Sequence, residues 1–164
     1  KSNRGMVSLF YKVLLKPMVN LTYLDLSNCG SLGNFETTEH LVNLKTLILY
    51  NIHNINEMVP SICKLKSLIH LDVSQSKDEH GRYPHPTTTL RKIVESLPYL
   101  TSLDISGTNL AGTGVAETDK AIGSDIAGLV NRVYNPLHFL GLYETSHDAC
   151  LRHDIPAKLV SYTR

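Results

Sequence analysis

The chain lacks an excess of charge of either sign. Sixteen lysine and arginine residues face 15 aspartate and glutamate residues, for a formal net charge of +1. That balance supplies no electrostatic drive toward nucleic acid or an anionic membrane surface. It also lacks a long apolar run. The best candidate, Met6 to Leu15, is interrupted by Lys12 and ended by Lys16 and Pro17, far short of the roughly 18 to 20 residues that span a bilayer. Cysteine is scarce: Cys29, Cys63 and Cys150 are odd in number and widely separated. No disulfide framework is legible in them, which favours a reducing compartment. No signal peptide is visible, and Lys1 in place of methionine leads us to expect that the natural N-terminus lies upstream. The triplet Asn20-Leu21-Thr22 has the form of a glycosylation sequon, a chance pattern that nothing else about the chain supports.

What is present is a repeat. The pattern LxxLxL occurs as "LTYLDL" from Leu21, "LKTLIL" from Leu44, "LIHLDV" from Leu68, "LTSLDI" from Leu100 and "LHFLGL" from Leu137, at intervals of 23, 24, 32 and 37 residues. The first two intervals are those of a leucine-rich repeat, and the later two read as the same unit carrying insertions. At 164 residues with 42% hydrophobic content, the chain can build one ordinary core. The predicted fold class is α/β: a leucine-rich repeat solenoid, a horseshoe arc with parallel strands on its concave face and helices on its convex face. Each unit lays down a short strand whose alternate apolar side chains point inward, and a stack of units shares the core that one unit cannot close alone.

The segments between strands carry helix-like apolar spacing: "GMVSLFYKVLLKPMVNL", "NEMVPSICKLKSL", "TTTLRKIVESLPYL" and "SDIAGLVNRVYNPL". Thr87 to Thr89 and Ser124-Asp125 suit N-caps, and Pro17, Pro98 and Pro136 stand where a helix must stop. The stretch from Phe35 to Asn43 has room for one or two helical turns. The ninth position of each unit holds Cys29, Ile52, Ser76, Thr108 and Thr145. All but Ile52 can hydrogen-bond a turn, so the turn at Ile52 is expected to be irregular.

The outward strand positions define the candidate site. Asp25, Asp72 and Asp104 share one position and form a broken acidic stripe, with Tyr23, Tyr50, Phe139 and Tyr143 as aromatic anchors for a partner. The same Asp-x-Ser pattern also has a plain reading as solvated strand chemistry. Insertions near residues 76–89 and 111–128 are either tolerated lengthening or partner contacts. No nucleophile–base–acid motif stands out, and "GTNLAGTG" is not a phosphate-binding GxxxxGK[ST] loop. His147, Cys150 and His153 are spaced like metal ligands, but surface histidines beside a buried cysteine explain them as well. No cofactor is expected.

Two further stretches, "PLHFLGLYETSHDACLRHDIPAKLV" from Pro136 and "YLTSLDISGTNLAGTGV" from Tyr99, resemble the Zyg-eleven and zer-one family, with "ACLRHDIPAK" weighing most. The resemblance covers most of the chain. It implies the leucine-rich repeat region of a substrate receptor for cullin-2 RING ubiquitin ligases. In that plan an N-terminal box binds elongin C, with its partner elongin B, and contacts cullin-2. A C-terminal armadillo-like domain captures proteins bearing N-terminal glycine degrons. The setting implied is intracellular, cytoplasmic or nuclear. Neither an elongin-binding box before Leu21 nor armadillo helices before Arg164 is visible, so no degron-binding residue is carried over. The expected organisation is leucine-rich repeats over residues 1–146 and a closing segment over 147–164 that leads toward the next domain. Leu151, Ile155, Ala157 and Leu159 would form the buried side of that segment. The alternative is a repeat domain whose concave face itself binds a protein or peptide, unrelated to ubiquitination.

Overall fold

A computed structural model describes residues 13–32, 40–76, 92–108, 138–141 and 160–161. Every LxxLxL pattern places a three-residue strand at the same offset. The main sheet takes β1 (Tyr23–Asp25), β3 (Thr46–Ile48), β5 (His70–Asp72), β6 (Ser102–Asp104), β7 (Phe139–Gly141) and β8 (Val160–Ser161), while β2 (Gly30–Ser31) and β4 (Ile52–His53) form a small second sheet. All pairs are parallel, and the main order β1-β3-β5-β6-β7-β8 follows the chain. Register is strict. Tyr23, Thr46, His70, Ser102 and Phe139 stand in one row, and Leu24, Leu47, Leu71, Leu103 and Leu140 in the next. A slip of one residue would turn every leucine to the wrong face.

The leucines before, within and after each strand make the core. Leu44, Leu47, Leu49, Leu68, Leu71, Leu100, Leu103 and Ile105 are all 0% exposed. Each fully buried leucine contributes about 2 kcal/mol of transfer free energy. The first unit is less well covered: Leu21 and Leu24 are only partly buried against the cluster.

Between strands, α1 (Ile55–Ile62) buries Ile55, Met58, Val59 and Ile62, spaced three, four and seven residues on from the first. It contains Pro60, whose ring sits on the exposed side. Its N-cap, Asn54, is left-handed (φ 61°) and makes no side-chain cap bond, so tertiary packing rather than capping holds this helix. Residues 13–15 and 92–96 are also helical, in two other segments expected to be so, and Pro17 and Pro98 follow them as stops. The fourth expected helix, both proposed N-cap sites, Pro136 and both insertions lie outside the described residues, as does most of Phe35 to Asn43.

Two expectations need correction. The turn at Ile52 is not irregular. Asn28, Asn51, Gln75 and Gly107, each just before the ninth position, all have positive φ (60°, 53°, 58° and 62°), so this turn repeats its neighbours' geometry. Asparagine and glycine adopt that conformation readily. The bond that Ile52 cannot supply comes from the next unit: Ser76 Oγ accepts from the Ile52 N–H (3.2 Å) and donates to the Leu49 carbonyl (2.9 Å). The second correction concerns the closing segment over residues 147–164, where no further LxxLxL pattern occurs and so no strand is predicted. Val160 and Ser161 pair with Leu140 and Gly141 and add a sixth strand to the sheet. A two-residue parallel strand needs only backbone groups in register, which composition does not report.

Candidate functional site

The outward face of the main sheet gathers the residues singled out from sequence. One row runs Tyr23, Thr46, His70, Ser102, Phe139, and the row two residues on runs Asp25, Ile48, Asp72, Asp104, Gly141. Asp72 and Asp104 are direct neighbours, about 5 Å apart between strands, while Ile48 separates Asp25 from Asp72 by two such steps, about 10 Å. Tyr23 is 54% exposed at one end of the face, and Phe139 is half-buried toward the other. Tyr50 is half-buried in the turn after β3. Tyr143 lies outside the described residues, as do His147, Cys150 and His153. No group of three metal-ligating side chains occurs among the described residues.

Each aspartate has a defined local duty. Asp25 Oδ1 accepts from the Ser27 N–H (2.8 Å) and hydroxyl (2.5 Å). Asp72 Oδ1 accepts the same pair from Ser74 at 2.8 and 2.5 Å. Asp104 Oδ1 accepts from the Ser106 N–H at 2.9 Å. The Asp-x-Ser pattern is therefore a turn brace at the end of each strand that carries it. The Ser27 hydroxyl and N–H hold the Asp25 carboxyl below its ordinary pKa by favouring the charged form, and the small burial of the group opposes them. At Asp25 the brace and the acidic surface are one arrangement, since the bonds from Ser27 favour the charged carboxylate.

Two contacts on this face escaped sequence reading. His70 Nδ1 and Ser102 Oγ lie 2.6 Å apart across β5 and β6. Position in the repeat puts both on the face, but only the parallel register makes them partners. The other contact involves Gly141, which occupies the slot where three other units carry aspartate. Its bare Cα leaves room for the Asp104 carboxylate, which lies where a β-carbon at 141 would stand. A glycine interrupting the aspartate column is the signal that could have found it.

Cross-unit side-chain bonds run beside the face. Asn51 Nδ2 donates to Asn28 Oδ1 (2.9 Å), Asn43 Nδ2 to the Val19 carbonyl (3.0 Å) and Ser67 Oγ to the Val42 carbonyl (2.6 Å). Asn43 and Asn51 thus tie the second unit, and Ser67 the third, to the one before. Cys29 and Cys63 are free thiols.

The described face is one of aspartate, serine, threonine and tyrosine with scattered apolar side chains, suited to protein contact. The repeat pattern extends to known proteins. A family model described as "Zer-1-like, Leucine-rich repeats" matches residues 12–145. The chain is 42% identical over 170 residues to the "Protein zer-1 homolog" of Drosophila melanogaster, covering 92% of this chain and 21% of that protein. It is 42% identical over 154 residues to "Zyg eleven-related protein 1" of Caenorhabditis elegans, covering 90% and 17%. It is 31% identical over 158 residues to the "Protein zer-1 homolog" of Homo sapiens, covering 90% and 20%. The chain spans about a fifth of the length of these relatives.

Proposed function

Because the chain belongs to the Zer-1-like leucine-rich repeat family, we propose that it is the repeat section of a substrate receptor in a cullin-2 RING ubiquitin ligase. In this reading it is a non-enzymatic spacer. Elongin C, elongin B and cullin-2 engage one flank of the parent protein. An armadillo-like domain on the other flank captures proteins with N-terminal glycine degrons. Repeats over residues 1–146 form a horseshoe arc, and residues 147–164 close its core and lead onward. The setting is intracellular. No helix among the described residues is long and apolar enough to cross a membrane.

The observation that supports a spacer is the unbroken parallel register from Tyr23 to Phe139, tied laterally at Asn28–Asn51, Val19–Asn43 and Val42–Ser67. A stack in which each unit is bonded to its neighbour resists bending. Ubiquitin transfer depends on reach and orientation, so a stiff segment between substrate and cullin arm is useful. The ubiquitin chemistry itself takes place on partner enzymes.

Calorimetric titration of a glycine-initiated peptide into this chain, and into one extended beyond Arg164, tests the division of labour. Heat on binding only to the longer chain is expected. Binding to the 164-residue chain alone would move recognition onto the repeats, and binding to neither would remove the degron assignment.

A further inference from the structure

We propose that the outward face of the main sheet docks an extended basic peptide segment of a partner protein. Its lysine or arginine side chains would meet Asp25 and Asp72, with an apolar side chain resting on Ile48 and Tyr23. This inference does not depend on the ligase reading, since it follows from the face alone.

Charge is the first argument. Among the described residues the two facing rows contain three carboxylates, no lysine or arginine, and one histidine, His70, whose Nδ1 is engaged with the Ser102 hydroxyl. The nearest cation in sequence, Lys45, precedes β3 and is outside both rows. This local excess of negative charge stands against a whole-chain charge of +1. Asp72 and Asp104 stand in register on adjacent strands, so the face carries carboxylates on neighbouring strands. A guanidinium or ammonium group complements that face, whereas an anionic partner is repelled by it.

The apolar step is the second, independent argument. Ile48 occupies the aspartate column, and its backbone is in register with Asp25 on one side and Asp72 on the other. Tyr23, more than half exposed, adds an aromatic surface on the same face, in the strand beside Ile48. A peptide of charged groups alone would leave that step unused. An extended chain in the polyproline-II conformation turns once in three residues and advances about 9 Å, close to the two strand spacings between Asp25 and Asp72, so side chains three residues apart face the same side. A segment with a basic residue every third position, and apolar residues between, fits the column.

The carboxylates are also held in place before any partner arrives. Ser27 and Ser74 fix the Asp25 and Asp72 side chains by two bonds each, so little side-chain freedom remains to be lost on binding.

The probe is a fluorescein-labelled nonapeptide, three copies of Arg-Leu-Gly, titrated with the 164-residue chain and followed by fluorescence anisotropy at physiological salt. The controls carry glutamate for arginine, or glycine for leucine. Asp25→Asn and Asp72→Asn keep an acceptor oxygen for the serine braces while removing charge, and Tyr23→Ala removes exposed surface. A melting curve on each variant checks that it folds. Glu57→Gln, on the exposed side of α1, reports diffuse electrostatics. Micromolar binding of the arginine peptide is expected, at least tenfold weaker for the Asp25→Asn/Asp72→Asn double variant, weaker for Tyr23→Ala and unchanged for Glu57→Gln. Weaker binding is likewise expected for the glycine-for-leucine peptide, and none for the glutamate peptide. Equal binding to the double variant would overturn the proposal. So would an equal loss with Glu57→Gln, full retention of affinity by the glycine-for-leucine peptide, binding only at millimolar concentration, or self-association of the chain that the same substitutions abolish.

Discussion

Asp25 shows how one side chain serves both fold and surface. Two bonds from Ser27 hold its pKa below the ordinary value, so the folded state prefers the ionised form more than the unfolded chain does. The resulting stability is fully present above the ordinary carboxylate pKa and disappears as pH falls through the lower folded value. The brace should therefore weaken below about pH 4. Thermal melts across that range should show the wild type losing more stability than Asp25→Asn, which still offers an acceptor oxygen but does not titrate. Because Asp25 is solvent-exposed the difference will be small, and parallel pH profiles for the two proteins would contradict the brace. The two residues involved were legible in the sequence as Asp-x-Ser. The seating of Asp104 over Gly141 was not, because the two residues meet only across strands.

At the scale of an element, the strands were legible and the helices less so. The LxxLxL spacing places five of the six main strands, since a short parallel strand in a repeat is set by where the inward leucines fall. Helix α1 departs from its capping rules: a left-handed asparagine begins it and a proline lies inside it. Its apolar stripe against the core outweighs both. The turn at Ile52 makes the same point, because its polar partner, Ser76, comes from the following unit. Replacing Ser76 with alanine leaves the Ile52 N–H and the Leu49 carbonyl without that hydroxyl. The expected loss is about 2 kcal/mol in chemical denaturation. A loss no greater than that from Ser67→Ala, whose single bond lies in an exposed setting, would show that the bridge between units contributes nothing special.

For the whole molecule, burial is uneven along the stack, and stability should follow it. Leu71 lies fully buried between units, while its counterpart Leu24 in the first described unit is only partly covered. Leu71→Ala should cost about 3 kcal/mol by removing contacts on both flanks, and Leu24→Ala less than half of that. Urea titrations of the two variants decide it. Equal losses would mean that the first unit is as firmly packed as the interior ones, against the observed gradient.

The sequence by itself determined the repeat, the inward leucines, the outward aspartate column and the family to which they belong. Those features depend on side-chain type at fixed spacing, which a string of residues records in full. Tertiary structure decided which outward residues become neighbours: His70 with Ser102, Asp72 with Asp104, Ile48 between two carboxylates, and Val160–Ser161 beside Phe139–Gly141. Such pairs are separated by 20 to 32 residues, with insertions of uneven length between some of them. Only the register of parallel backbone hydrogen bonds brings them onto one face.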